Sequence, residues 1–513
     1  MERLTNLEYL KLNKFKKILY KLKCFLVAVP QWFLRIIKSI GLFFVKLGIK
    51  IKDEFVDVFQ TFKNGDYKTR ISFIIMGFGS FARGQIMRGV LFLLFEIAFI
   101  VYMIFGGIHW LSLLPSLGKV PPEINVYSEE LDTYINIPAP DPSFKILLYG
   151  VLTIVFMIAL IYTWRLNIKQ NQISEKIIRS GKKIKSDKDD LKSALDDQFH
   201  KTLLALPTLG VVVFTILPIL FMILIAFTNF DAQHDGRNNN LFTWVGLQNF
   251  NQLLGWSSDG TSFSATFGEI LTWTLLWAFL ATFTNYFLGM LVAMMINKKG
   301  IKLKKVWRTI LVLTIAIPQF ISLMYVSKMF ARNGVVNTLF QELHLISKPI
   351  DFWETKWAAR ITVVLINIWI GIPYLMLITT GILMNIPQDL YESARIDGAN
   401  AWQQYTKITL PYVLFVTAPY LLTSFIGNIN NFNVIYLLTG GGPKNAASMT
   451  SGAPAGHTDL LITWLFKLTT QDSNYKLAAV IGIMVFIVVS IISVIVYNLI
   501  PSTRNEEDFS WWK

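Results

Sequence analysis

Tyr391–Pro411, YESARIDGANAWQQYTKITLP, is a polar stretch between two long apolar ones, 361–385 and 412–438. It is too polar to cross a bilayer and too rich in helix formers to be a slack connector. Glu392, Ala394, Arg395, Asp397, Ala399 and Ala401 favour helix on either side of Gly398. A short helix lying flat on a membrane, hung between two spanning helices, is a handle that a soluble protein can push. The rest of the chain reads as a pore with no engine of its own.

A bilayer core needs about 20 apolar residues per helix. Working outward from the handle, eight stretches qualify: 88–109, 145–164, 203–228, 269–296, 309–328, 361–385, 412–438 and 477–500. The expected fold is all-α, a polytopic membrane protein of about eight spans. The segment from Arg165 to Lys201 carries ten Lys and Arg residues, and the loop after the fourth span holds Lys298, Lys299, Lys302, Lys304, Lys305 and Arg308. Basic loops stay in the cytoplasm. Loop 110–144 is acid-rich, and loop 229–267 has Arg237 as its only cation, so these two are expected outside. Counting spans then puts both termini and the handle in the cytoplasm of a multi-pass plasma-membrane protein.

Domain boundaries follow the same pattern. Residues 1–87 form a basic region in which Leu19–Val56 mixes apolar residues with Lys21, Lys23, Arg35, Lys38, Lys46, Lys50 and Lys52, the composition of amphipathic helices on an inner membrane surface. Ile71–Gly79 reads as a further interfacial or partly re-entrant piece. Then come two spans with their outer loop (88–164), a basic cytoplasmic linker (165–202), the core (203–500) containing the handle, and a tail (501–513).

The composition is 53% hydrophobic and only 16% charged, which excludes an ordinary soluble domain. The net charge of +15 matches lipid headgroups; no basic–aromatic module points to nucleic acid. One cysteine, Cys24, excludes an internal disulfide and a cysteine metal site. The five histidines have no ligand spacing, so no metal and no catalytic residue are expected. No Walker sequence is present, since Gly118-Lys119 and Gly181-Lys182 lack its other residues. Ion-driven carriers place Asp, Glu or His at the midplane. The interiors of the fourth to eighth spans contain none, and Glu96 in the first span reads as a hydrogen-bonded structural residue. Energy must come from another subunit, or the protein is a passive channel.

Glu392-Ser393-Ala394, Asp397-Gly398-Ala399 and Ile408-Thr409-Leu410-Pro411 resemble the EAA signature of binding-protein-dependent ABC importer permeases. The resemblance implies a type I importer permease core (MetI-like) in which this loop docks in a groove of an ATPase subunit. Glu392, Ser393, Ala394, Asp397, Gly398 and Ala399 would form the ATPase-coupling site. Ser393 stands where the family usually has Ala. Phe227–Phe250, Gly334–Phe340 (GVVNTLF), Asn433–Pro443 (NVIYLLTGGGP) and Ile71–Ile100 resemble the sugar branch, and within it the maltose/maltodextrin MalF-type subunits. Some of those insert a large extracytoplasmic domain between the third and fourth spans; here that loop is only 229–267.

The seventh span contains Ser424-Phe425-Ile426-Gly427-Asn428-Ile429-Asn430-Asn431-Phe432-Asn433. Amides pair well with sugar hydroxyls, and unpaired buried amides are costly. Ser424, Asn428 and Asn431 fall at i, i+4 and i+7, one face of a continuous helix; Asn430 and Asn433 face elsewhere. Interhelical hydrogen bonding is the competing use of such residues. In the sixth span, Gly371 and Pro373 are expected to open or kink the helix, and Tyr374 offers a ring and a hydroxyl to a pyranose. Gly371, Tyr374, Ser424, Asn428 and Asn431 also match positions where MalF-type subunits contact maltose, while Gly427 stands in place of an aromatic residue.

The resemblance therefore implies one permease subunit of an ATP-driven importer for maltose- or maltodextrin-type oligosaccharides. It would not itself be an enzyme. Its partners would be a second, MalG-like permease, a cytoplasmic ATPase dimer binding ATP-Mg, an extracellular solute-binding protein, the sugar and the bilayer. The alternatives are an importer for another sugar or polyol, an ion-coupled sugar carrier, and a membrane scaffold or sensor.

Overall fold

The computed structural model describes residue 38 and residues 41–119, 125–128, 133–136, 141–184, 186–237, 240–255, 261–298, 300–449 and 454–499. The expectations for most of the chain before residue 41, and for the tail 501–513, lie outside these residues. Among the described residues seven helices are long and apolar enough to cross a membrane, and a bent helix pair brings the number to eight if it counts as one span. The labelled helices are α1 (Ile86–Leu113), α2 (Ser143–Arg179), α3 (Phe199–Ile225), α4 (Thr261–Asn297), α5 (Lys304–Ala316), α6 (Gln319–Met329), α7 (Lys356–Met384), α8 (Gln388–Ile396), α9 (Leu410–Ile429), α10 (Phe432–Thr439), α11 (Leu461–Thr470) and α12 (Tyr475–Leu499). Strands β1 (Asn125–Ser128) and β2 (Thr133–Asn136) pair antiparallel in the loop between α1 and α2, a hairpin that the all-α reading omits.

Three expectations are corrected. The fifth span is not one helix: α5 and α6 meet at 92°. Proline lacks an amide donor and forces the preceding residue out of helical geometry. Ile317 is accordingly extended, at ψ 127°, before Pro318. The seventh span is interrupted at Asn430–Asn431: Asn430 ends α9 and Asn431 starts α10 at ψ 87°. Asn431 therefore does not continue the helix face of Ser424 and Asn428. Conversely, α7 runs unbroken through Gly371 and Pro373. Pro373 is buried between neighbours, the setting in which membrane helices tolerate proline.

The chain divides into two compact units, Met1–His109 with Leu152–Val211, and Trp110–Val151 with Val212–Lys513. This differs from the sequence-based division, because the 165–202 segment is folded and tied to residues before α1. Helix α2 continues to Arg179, well beyond the span expected to end at 164. Arg165 reaches Glu54 (2.6 Å) and Asp57 (2.5 Å). Burial pushes the Asp57 carboxyl up, but the hydrogen bonds from Arg165 and Gln172 outweigh it and hold the group below its ordinary value. Buried Arg83 donates to Asp66 (2.7 Å), Thr69 (2.7 Å) and Asn171 (2.5 Å). Asp187 accepts from the first amides of α1, Ile86 (3.0 Å) and Met87 (3.2 Å), where a carboxylate meets the positive end of the helix dipole. Glu96 accepts from the Met76 amide at 2.8 Å, in keeping with a structural role.

In the second unit the most extensive helix pairing joins α4 and α7. Small residues permit it. A Cβ on Gly289 would lie 2.7 Å from Leu375 Cβ, and one on Gly371 would overlap the Asn285 amide. With no hydrophobic drive between helices in lipid, such close backbone approach is what supplies packing energy. Around this pair lie three smaller apolar clusters, centred on Trp277 and Val363, on Tyr286 and Val413, and on Ala293 and Met376. The largest cluster, around Trp464, Phe263 and Ile481, joins α11, α4 and α12.

Candidate functional site

The handle folds as two short helical pieces about Gly398. α8 spans Gln388–Ile396 and ends with Asp397; a turn of helix, Ala401–Gln404, follows and leads through Tyr405–Thr409 into α9. Gly398 sits at φ +77°, a left-handed conformation that costs a residue with a Cβ about 1–2 kcal/mol. The Ala399 amide closes the turn onto the Ala394 carbonyl at 2.8 Å. Asn400 and Gln403 exchange side-chain and backbone bonds, both 2.8 Å, capping the second piece. The Tyr391 and Thr409 hydroxyls are 2.9 Å apart, and Tyr391, Tyr405 and Ile408 pack on the Tyr286–Val413 cluster.

This anchoring decides what faces outward. Glu392, Ser393, Asp397 and Gly398 are exposed, and Glu392 has no ion pair among the described residues. Ala394 and Ala399 are half-buried in the turn, so their small size serves the bend as well as any approach from outside. The sequence reading missed the apolar part of this surface: Ile396 is 86% exposed and Trp402 70% exposed. Two large apolar side chains standing free beside a carboxylate and a serine are what a docking surface needs: an apolar anchor with a polar rim. Their presence in a polar stretch was the available signal.

The sugar-site candidates fall into two linked groups. Tyr374 is exposed and lines a cavity of about 350 Å³ at the α5–α6 break, together with Gln319, Ser322 and Trp369. Its ring centroid is 6.3 Å from that of Tyr420, which is hydrogen-bonded to Ser424. In the second group Asn431 donates to Asn428 (3.2 Å) and Asn428 donates to Thr282 of α4 (3.0 Å). Asn431 also accepts from the Val434 amide at 3.3 Å, which caps α10. Both amides thus have protein partners, and the interhelical use of asparagine operates here. One turn from Thr282 on α4 stands Asn285, against Gly371. Gly371 is therefore a packing contact and leaves no opened backbone. Asn285 Oδ1 and, one turn before Gly371, Asn367 Nδ2 are buried without partners. Sequence reasoning missed Asn285 and Asn367, although a buried span amide was the same signal used for Asn428. Asn430 and Asn433 are exposed, away from this network. Among the described residues no group of three or more His, Cys, Asp or Glu could hold a metal.

At the boundary of the membrane spans Glu269 organises a charged cluster. Its Oε1 lies 2.7 Å from Lys356, 3.2 Å from His457 Nδ1 and 3.5 Å from Arg360, and its Oε2 accepts from Asn445 at 3.0 Å. Arg360 also covers the Trp273 ring at 4.4 Å. Asn445 and His457 are thereby fastened to the first turns of α4 and α7.

Comparison with known proteins places this architecture. The profile of the family described as "Binding-protein-dependent transport system inner membrane component" matches residues 285–505, which contain the whole handle and both groups of candidate sugar contacts. The maltodextrin transport system permease protein MalC of Streptococcus pneumoniae is 34% identical over 86% of this chain and 97% of its own length. The maltodextrin permease MdxF of Bacillus subtilis is 34% identical over 85% of this chain and 95% of its own. The galactooligosaccharides permease GanP of the same organism is 31% identical over 84% of this chain and 97% of its own. With relatives at this identity matched over almost their whole length, and with several helices long and apolar enough to cross a membrane, the chain is a multi-pass membrane protein of the binding-protein-dependent (ABC importer) permease family.

Proposed function

We propose that this chain is one of two membrane subunits of an ATP-driven plasma-membrane importer for maltodextrin-type oligosaccharides. The observation that carries the reading is the exposed helix α8, anchored by Tyr391 and ending in the Gly398 turn, on a chain 34% identical to maltodextrin permeases over almost their whole length. In this reading a cytoplasmic ATPase dimer receives α8 in a groove. Closure of the dimer on ATP-Mg moves the handle, and the Tyr391–Thr409 tie passes the motion to α9. A sugar-loaded extracellular binding protein docks on the opposite face, and a MalG-like second permease completes the pore. The handle and both termini lie in the cytoplasm. Tyr374, Ser424, Asn428 and Asn431 line the sugar path, with Gly371 setting the spacing of α4 and α7 behind them. The 88–164 hairpin and the basic residues before it serve as accessory membrane segments to the 203–500 core.

Uptake of radiolabelled maltooligosaccharides and galactooligosaccharides in cells with and without this gene tests the proposal. Selective loss of maltooligosaccharide uptake is expected. The GanP relationship favours galactooligosaccharides as the second reading, and loss of that uptake alone would establish it. Uptake that survives ATP depletion and stops with an uncoupler would replace both with an ion-coupled carrier.

A further inference from the structure

Away from the handle and the sugar-site candidates, the second unit holds an open crevice of about 940 Å³ where α2 begins, α3 ends and α12 begins. Its apolar lining includes Phe221 and Met222 of α3, Leu465 of α11, and Ala478 and Ala479 of α12. The two alanines are almost fully buried and form a narrow floor that larger residues would fill. At the end of the spans the lining changes to Lys145 and Arg237, both exposed. Neither has an ion pair among the described residues. Their proximity is built in: the Ser143 amide donates to the Gly236 carbonyl at 3.0 Å, laying the Arg237 turn on the start of α2. Asp235 lines the same rim, where its Oδ1 accepts from the Arg237 amide at 3.0 Å, so two cations and one carboxylate leave the mouth net positive by one.

We infer that this crevice binds one anionic glycerophospholipid, with an acyl chain along α3, α11 and α12 and the phosphate between Lys145 and Arg237. A largely apolar slot between membrane helices meets hydrocarbon, and two cations without ion pairs at its mouth meet phosphate; one molecule carries both chemistries in that order. The volume lies within the roughly 300–1,000 Å³ of ordinary ligand pockets. The inference does not rest on which sugar is carried. The bound lipid bridges α2, α3 and α12 at one membrane boundary and so has a structural role.

The test uses the full chain, purified in mild detergent with any subunits that co-purify. Native mass spectrometry compares retention of phosphatidylglycerol and phosphatidylcholine in the unaltered protein, in the Lys145→Glu/Arg237→Glu double variant and in Ala479→Trp. The unaltered protein should retain one phosphatidylglycerol per chain in preference to phosphatidylcholine, by about fivefold for each cation engaged. The double variant should lose the preference, and Ala479→Trp should lose both lipids. Soluble glycerol phosphate should not displace the lipid, since it lacks the chain. Equal retention of the two lipids by the unaltered protein, displacement by glycerol phosphate, or retention unchanged in both variants would each overturn the inference. So would finding a protein side chain seated in the crevice of the assembled complex. The lipid preference and the glycerol phosphate arm need no variant, so misfolding of either variant leaves the test intact.

Discussion

The hydroxyl of Tyr391 lies 2.9 Å from the hydroxyl of Thr409. One residue is on the exposed helix of the handle and the other on the turn that becomes α9, so the bond ties the two pieces together. Tyr391→Phe removes one hydrogen bond, worth about 0.5–1.5 kcal/mol, and leaves the ring packed. Under the proposed function, a cytoplasmic ATPase should co-purify normally while sugar-stimulated ATP hydrolysis falls severalfold. Loss of co-purification would instead make Tyr391 part of the docking surface.

Ile396 and Trp402 stand exposed, the Trp402 ring lying 5.5 Å from that of Tyr405. Ile396→Asp and Trp402→Ala should change thermal stability by no more than about 0.5 kcal/mol, as surface substitutions do. If they anchor a partner, each should cut the co-purified ATPase by about tenfold or more. Unchanged subunit stoichiometry would move the docking surface elsewhere.

Gly289 touches the backbone of Leu375 at the crossing of α4 and α7. Gly289→Leu must push the helices apart, at about 1–3 kcal/mol for overpacking. The melting temperature in detergent should fall. Gly427→Ala, inside α9 where an added Cβ meets open space, should leave it the same or raise it by the helix preference of Ala over Gly, about 0.5–1 kcal/mol.

Asn428 can be separated into a structural and a sugar-binding part. Replacing it with Leu breaks its bonds to Thr282 and Asn431, each worth about 0.6 kcal/mol for polar pairs between membrane helices. The folded protein should therefore persist. Uptake assays should show a raised KM if Asn428 also touches the sugar, and unaltered kinetics if it serves packing alone.

Asp231, in the loop after α3, gives the protein a pH signature. Burial pushes its carboxyl up, but hydrogen bonds from Lys476 and His234 outweigh it and bring the pKa to about 2. A carboxylate depressed in the folded state stabilises above its unfolded value of about 3.9 and loses that contribution as pH falls toward 2. Between pH 5 and 8 the tie to Lys476 should be constant. Asp231→Asn should lower the melting temperature by a similar amount throughout that range, with the difference from the unaltered protein vanishing only toward pH 2. A difference that varies between pH 5 and 8 would show that another group dominates.

The handle was legible because its signals are local. Gly398 needs a left-handed conformation, Asn400 and Gln403 cap within one turn, and the flanking apolar runs are read by length alone. The spans were legible for the same reason, since about 20 apolar residues suffice to cross. The breaks were not. Pro318 and Pro373 are the same residue type inside apolar runs, yet one turns the chain by 92° and the other is absorbed in a continuous helix. Nothing in the neighbouring residues separates them, because the difference lies in what the surrounding helices enclose.

From its sequence alone this chain was determined to be a multi-span helical membrane protein with a helical handle and no Walker sequence, since hydropathy, charge and turn chemistry act over a few residues at a time. Only the tertiary structure decided that Asn428 and Asn431 pair with each other and reach Thr282, that Gly371 is a packing contact, and that the basic linker binds back on the residues before α1. Those outcomes depend on which side chains the packing brings together, at separations up to the 146 residues between Thr282 and Asn428, and a buried polar group is satisfied by whichever partner comes within reach.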